Sequence, residues 1–260
     1  MTERYGLVGQ PVAHSKSPWI HARFARATHQ DIHYGLIEAP LGGFERAADE
    51  FRAGGGKGLN VTLPFKEDAF RYCKELSPRA RQARAVNTIT FGAVVFGDNT
   101  DGVGLVRDLG TDLPGRRVLL MGAGGAAQGV VGALLEAGIA ALTIANRTEA
   151  RAQEIAARFT GVSASGYAGL EPGFDLIVNA TSAGLADDAP ALPPGVLARA
   201  KLAYDMVYGR DTPFLAAARA AGVRASDGLG MLVEQAAESF YVWRGVRPET
   251  APVLRELRGH

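Results

Sequence analysis

Short apolar runs alternate with amphipathic stretches along the whole chain. In the first part, the runs at 5–8, 33–39, 57–63, 86–91 and 94–96 predict strands. The stretches at 18–28, 44–53 and 66–76 carry helical spacing, with Ile20 and Phe24 four residues apart on one side. Punctuation agrees with these elements. Ser17-Pro18 predicts a helix start, with Ser17 as N-cap and proline at the first helical position. Gly54-Gly55-Gly56 closes a helix, and Pro64 cannot continue a strand inside a sheet. Ser77-Pro78 restarts a short helix, and Gly92-Ala93 reads as a hairpin turn.

A linking helix is predicted over 100–109, ended by Pro114-Gly115. A second series of strands and helices follows: strands at 117–121, 142–146, 176–179 and 202–207, and helices at 126–137 and 149–159. A Pro- and Ala-rich loop spans 187–194. Thr212-Pro213 starts another helix, 222–225 a last short strand, and a long amphipathic helix runs from Gly228 through Leu232, Ala236, Phe240 and Trp243. A final helix covers 248–257. Strand–helix alternation of this kind implies an α/β protein with mainly parallel sheets covered on both faces. Two such sheets joined by the 100–109 helix predict two domains with a cleft between them. The expected division is 1–100, completed by 228–260, and 101–227.

Composition narrows the function classes. The chain has 260 residues, is 47% hydrophobic and carries a formal net charge of +1. Its Lys and Arg residues are scattered, with no basic stripe for nucleic acid. No apolar run is long enough to span a bilayer, and no signal-peptide pattern follows Met1. The one cysteine, Cys73, cannot pair within the chain, which fits a reducing cytoplasm. The five histidines show no metal-ligand spacing, so no metal is expected.

The strongest chemical signal is Met121-Gly122-Ala123-Gly124-Gly125-Ala126-Ala127, set between a buried strand and a helix. That context turns a glycine string into a dinucleotide fingerprint. Gly122 allows the tight turn, Gly124 lets a pyrophosphate approach the backbone, and Ala127 lets helix and strand pack closely. The helix N-terminus then offers free N–H groups to phosphate. The next strand ends in Asn146-Arg147-Thr148. A carboxylate near this point takes a ribose 2′-hydroxyl, whereas an arginine accommodates a 2′-phosphate. No acidic residue lies between Gly138 and Arg147, so Arg147, Thr148 and Arg151 predict NADP. Elsewhere, polar residues recur at the ends of strands: Ser15 and Ser17; Asn60, Thr62 and Lys66; Asn87 and Thr88; Asn99, Thr100 and Asp101. A substrate with several hydroxyls would account for such a recurrence. A lysine near a carboxylate can move a proton to or from a substrate oxygen.

In this order the motifs resemble the shikimate dehydrogenase family over nearly the whole chain. The similar segments are Gly9 to Pro18, Asn60 to Lys66, Ala85 to Thr88, Asp98 to Gly102, Gly122 to Ala126, Asn146 to Thr148, Asn179 to Ser182, Asp205 to Tyr208 and Gly228 to Gln235. The resemblance implies a substrate domain followed by a Rossmann-like NADP domain. It implies reversible NADP-dependent reduction of 3-dehydroshikimate to shikimate, a step toward chorismate and the aromatic amino acids, by a monomer or homodimer. Ser15 and Ser17 would hold the substrate carboxylate. Thr62, Asn87, Asp101 and Gln235 would meet ring hydroxyls, with Tyr208 close by. Lys66 and Asp101 would be the catalytic pair. Gly122, Ala123, Gly124, Gly125, Ala126, Asn146, Arg147, Thr148 and Arg151 would bind NADP, and Met206 and Gly228 would line its nicotinamide end. The alternatives are a quinate/shikimate dehydrogenase preferring NAD and a non-catalytic metabolite-binding homologue. The chain departs from the family pattern at Ala22, where Asn is frequent, at Arg84, where Gly is usual, and at Leu185, where Met is frequent.

Overall fold

A computed structural model describes residues 2–181 and 192–259. The chain divides into two compact units, Met1–Gly104 with Leu232–His260, and Leu105–Met231.

The first unit is built on a six-stranded sheet. Its strands are β1 (Glu3–Gly9), β2 (Ile32–Glu38), β3 (Gly56–Val61), β4 (Glu75–Leu76), β5 (Thr88–Phe91) and β6 (Val95–Asp98), in the spatial order β2-β1-β3-β5-β6-β4. β1 pairs in parallel with β2 and β3, whereas β5 is antiparallel to both β3 and β6. The helices are α1 (Ser17–Ala27), α2 (Phe44–Ala53), α3 (Lys66–Tyr72), α4 (Pro78–Ala83), and at the far end of the chain α9 (Leu229–Arg244) and α10 (Ala251–Arg258). Alternation along a strand sends successive side chains to opposite faces. Val8 accordingly packs with Leu59, Phe44 and Phe65, while Tyr5 and Leu7 pack on the other side with Tyr34 and Trp243. Ile20 and Phe24 of α1 close on Val233, Ala236 and Phe240 of α9. Cys73 lies buried in the first of these clusters, against Gly97, where an added Cβ would sit 2.7 Å from its Sγ.

The second unit has the strands β7 (Arg117–Met121), β8 (Ala141–Ala145), β9 (Val162–Ser165), β10 (Leu176–Asn179), β11 (Leu202–Asp205) and β12 (Arg224–Ser226). They form one sheet in the order β12-β11-β10-β7-β8-β9, and every pairing is parallel. Read from β9, this is the doubly wound dinucleotide-binding order, with β7 as its first strand. The helices α6 (Gly125–Glu136), α7 (Glu149–Ala156) and α8 (Pro213–Ala220) cover it. Val118 and Leu120 enter one core layer and Leu119 and Met121 the other, as expected for a strand buried on both faces. Asp101–Leu109 forms α5, which crosses from the first unit into the second, as α9 crosses back.

Several elements differ from the sequence expectation. The helix expected over 66–76 stops at Tyr72 because Cys73 is extended (φ −69°, ψ 136°), and residues 75–76 join the sheet as β4. β9 has the sequence Val-Ser-Ala-Ser, which offers no apolar run, and it pairs with β8 alone at the sheet edge. Ser17 is not the N-cap of α1. It is the first helical residue, and the cap position falls on Lys16, whose side chain makes no capping bond. Ser15 fills that role, its Oγ accepting the Ser17 N–H at 3.2 Å. Ser182, Leu185 and residues 187–191 of the expected loop lie outside the described residues.

Candidate active site

In the first unit, Lys66 and Asp101 come together. Lys66 opens α3 just beyond the end of β3, and Asp101 opens α5 just beyond β6. Lys66 Nζ donates to Asp101 Oδ2 at 2.6 Å, with side-chain exposures of 12% and 6%, so the pair is shielded without being sealed. The other carboxylate oxygen accepts from Asn87 Nδ2 at 2.8 Å. Gln235, on α9, lies at the edge of this group, its Oε1 3.4 Å from Asn87 Nδ2. Thr62, one residue past β3, packs its methyl toward Gly9, where an added Cβ would meet it at 2.3 Å. At the start of α1, Ser15 Oγ donates to Ser17 Oγ at 3.1 Å, which leaves the Ser17 hydroxyl proton available to a ligand.

The loop that carries Asp101 is braced from behind. Asp98 accepts from Ser77 Oγ at 2.5 Å and from Arg79 in a bidentate pair at 2.7 and 2.6 Å. Arg79 also reaches Glu238 of α9 at 3.1 Å, and Glu238 accepts from Arg247 at 2.7 Å. Bidentate arginine–carboxylate pairs fix geometry as well as charge, so the turn from β6 into α5 is held on both sides.

The second unit gathers the residues expected to hold a nucleotide. Gly122 has φ +107°, and an added Cβ would lie 3.1 Å from the Ala180 backbone, so only glycine fits the turn. Ala123 is buried, and Gly124 caps α6 in an extended conformation. An added Cβ at Gly124 would meet no atom within 4 Å, so nothing in the protein itself requires glycine there. The α6 N-terminus, with Gly125 and Ala126 in its first turn, has no side-chain cap and no acidic residue. Its first N–H groups therefore remain for an anion. After β8, Asn146 Nδ2 ties down the Thr148 carbonyl at 2.9 Å. Arg147, Thr148 and Arg151 are exposed, and Thr148, though at the N-cap of α7, makes no side-chain cap. An open glycine backbone, an uncapped helix start and two exposed arginines fit the diphosphate and the 2′-phosphate of NADP.

Beyond β11 the chain is tied to two segments distant in sequence. Met206 N–H bonds to the Asn179 carbonyl at 2.9 Å and Gly228 N–H to the Val207 carbonyl at 3.1 Å. An added Cβ at Gly228 would lie 2.4 Å from the Met206 carbonyl oxygen, so Met206 and Gly228 are brought together only because residue 228 is glycine. Tyr208 follows two residues after Met206, half-buried.

Sequence reasoning gave no role to the groups that hold these loops. Asp205 is fully buried; it accepts from Thr212 Oγ1 at 2.6 Å, Val207 N–H at 3.0 Å and Asn179 Nδ2 at 3.2 Å. Burial pushes its carboxyl up, and these three donors oppose the shift. Ser239 was missed altogether, although Gln235 and Ser239 stand four residues apart on α9. That spacing puts both on one face, and it was the available signal. Among the described residues, no group of three or more His, Cys, Asp or Glu could hold a metal, and no helix is long and apolar enough to cross a membrane.

Residues 7–89 match the shikimate dehydrogenase substrate binding domain. Residues 105–186 match shikimate / quinate 5-dehydrogenase, and residues 228–258 match the shikimate 5′-dehydrogenase C-terminal domain. A Chromobacterium violaceum protein named shikimate dehydrogenase (NADP(+)) is 57% identical, over 99% of this chain and 98% of that one. Among solved structures, an Ael1 enzyme from Pseudomonas putida is similar at a TM-score of 0.91 and 47% identity, covering 98% of each chain. Shikimate 5-dehydrogenase from Thermus thermophilus, in complex with NADP(H) and shikimate, is similar at a TM-score of 0.88 and 34% identity, covering 99% of each chain. By its domain matches and by identity to such relatives over its whole length, the chain belongs to the shikimate dehydrogenase family.

Proposed function

We propose that this protein catalyses the reversible, NADP-dependent reduction of 3-dehydroshikimate to shikimate. The observation that carries the reading is the 2.6 Å contact between Lys66 Nζ and Asp101 Oδ2, at the starts of α3 and α5. The first unit then binds the substrate and the second the cofactor. When bound, NADPH supplies the hydride.

The remaining work falls to the chain. Ser17 donates its hydroxyl hydrogen to the substrate carboxylate, and Ser15 does the same once its hydroxyl turns from Ser17 Oγ. Thr62, Asn87 and Gln235 orient the ring hydroxyls. As the carbonyl carbon gains hydride, its oxygen gains negative charge, and the Lys66 ammonium gives it a proton. Asp101, accepting from Lys66 on one oxygen and Asn87 on the other, holds the ammonium in place. In the reverse direction neutral Lys66 takes the hydroxyl proton. Arg147, Thr148 and Arg151 select the 2′-phosphate, and Gly122 to Ala126 cradle the diphosphate.

Each protomer carries the whole residue set, so the reading requires no second copy, and the enzyme acts as a monomer or homodimer. The lone cysteine fits a reducing compartment, and we place the reaction in the cytoplasm. The test is shikimate-dependent reduction of NADP, run beside NAD and beside quinate. NADP with shikimate should give the highest kcat/KM. Lys66→Ala should lower kcat by about 10²-fold or more, the usual worth of a positioned acid–base group. Turnover near wild type in a folded Lys66→Ala would remove Lys66 from its role, and no NADP reduction by the wild type would remove the function.

A further inference from the structure

Behind the Lys66–Asp101 pair lies a buried polar network of which the reaction as described uses only Asn87. Asn60, Asn87, Thr88, Thr100 and Ser239 are each 5% exposed or less, and they come from β3, the entry to β5, the entry to α5, and α9. The hydrogen-bonding capacity of the Asn87 amide sets the direction of the whole network. Its Oδ1 faces the Thr100 N–H at 2.8 Å, and a backbone N–H can only donate. The second lone pair of Oδ1 accepts from Thr88 Oγ1 at 2.8 Å. With the oxygen so occupied, Nδ2 must point the other way, to Asp101 Oδ1 and Thr100 Oγ1, both at 2.8 Å. A flipped amide would set NH₂ against the Thr100 N–H and carbonyl oxygen against the Asp101 carboxylate.

Thr88 can give its proton to Asn87 only if its other neighbours donate to it. Asn60 Nδ2 does so at 3.2 Å, and Ser239 Oγ lies 2.8 Å away. Ser239 in turn accepts from Asn60 Nδ2 at 2.9 Å and shares a hydrogen bond with Thr100 Oγ1 at 3.1 Å, and the Gln235 carbonyl at 3.0 Å competes for its single proton. Every member is almost wholly shielded from water, which makes an unmatched donor or acceptor costly and the pattern stiff.

We propose that Thr88 and Ser239 are positioning residues for the reaction: through hydroxyl-to-hydroxyl contact they lock the Asn87 amide with its NH₂ on Asp101, and so hold the Lys66–Asp101 pair in its working geometry. This rests on the proposed dehydrogenase reading and extends the machinery to α9. The predicted effect lies in the chemical step. Thr88→Val keeps shape and removes the hydroxyl, whereas Thr88→Ser keeps the hydroxyl. Thr88→Val should lower kcat by about 10- to 100-fold, the scale of a misplaced catalytic group, with a smaller change in KM for shikimate and none in KM for NADP. Thr88→Ser should recover most of the lost kcat, and Ser239→Ala should fall in the same direction as Thr88→Val.

The decisive arm is a cycle with Asn87→Ala. In that background Thr88→Val should cost less than about two-fold, because residues acting as a unit are non-additive. A general packing defect would cost the same in both backgrounds. Thermal melting of each variant keeps folding failures apart, and Thr88→Ser and Ser239→Ala remain informative if Thr88→Val does not fold. Equal losses for Thr88→Val and Thr88→Ser, or full additivity with Asn87→Ala, would overturn the proposal. Wild type and Lys66→Ala run in the same assay separate the two readings. An inactive wild type sinks the dehydrogenase reading, whereas an active wild type, a dead Lys66→Ala and an unaffected Thr88→Val sink this one alone.

Discussion

His21 is a fully buried imidazole in the first unit, stacked on Tyr34 with ring centroids 4.1 Å apart. Neither ring nitrogen meets a partner at hydrogen-bond geometry. Burial lowers its pKa from 6.5 to about 3, with the neighbouring Asn60 amide opposing the shift. The folded chain thus holds fewer protons at this site than the unfolded chain between those two values. Stability from a neutral His21 is complete above pH 6.5 and drains away as pH falls toward 3. At pH 4 the difference is roughly 3 kcal/mol, at about 1.36 kcal/mol per unit. His21→Phe should flatten the urea-midpoint slope over this range. An unchanged acid slope would remove His21 from the account. The sequence assigns this residue no role, because nothing in local pattern reveals which histidine a fold will seal. Arg84 makes the opposite case. The resemblance anticipates glycine there, and the backbone shows why, since Arg84 sits at φ +52°, ψ +32°, in the left-handed region that follows α4.

Among elements, α6 and the strand before it were the most legible, because a buried run, a glycine turn and an apolar helix leave one reading. Their structure yields a sharp test of the proposed diphosphate cradle. An added Cβ at Gly124 meets no protein atom, and the residue's backbone (φ −93°, ψ −177°) is one alanine adopts freely. Gly124→Ala should therefore leave the melting temperature unchanged while raising KM for NADP about ten-fold, consistent with an overpacking cost of about 1–2 kcal/mol. A fall in stability without a change in KM would mean that the glycine serves the fold. The least legible elements were those defined by their neighbours. β4 has two residues and exists because β6 runs alongside it, and β9 is made by pairing with β8. Ser239 belongs to the same class: its position on α9 could be read from spacing, but its partners on β3, β5 and the loop before α5 could not.

For the whole molecule, connectivity matters most. Ile20 and Phe24 from the start of the chain are covered by Val233, Ala236 and Phe240 from its last part, so the core of the first unit is incomplete until α9 is made. The chain's spectroscopic and chemical probes share that unit: Trp19, Trp243 and Cys73 all fall within it. Cys73 is buried, and burial pushes its thiol from 9.0 up to about 12. Maleimide coupling at about pH 8 should run about 10³-fold slower in the native protein than in urea, following the loss of thiolate; fast coupling of the native chain would contradict the burial. An unfolding experiment read by thiol labelling or indole emission watches the half that carries Lys66 and Asp101 and is blind to the strands around Gly124, whose fate must be followed by other means, such as the fluorescence of a bound dinucleotide.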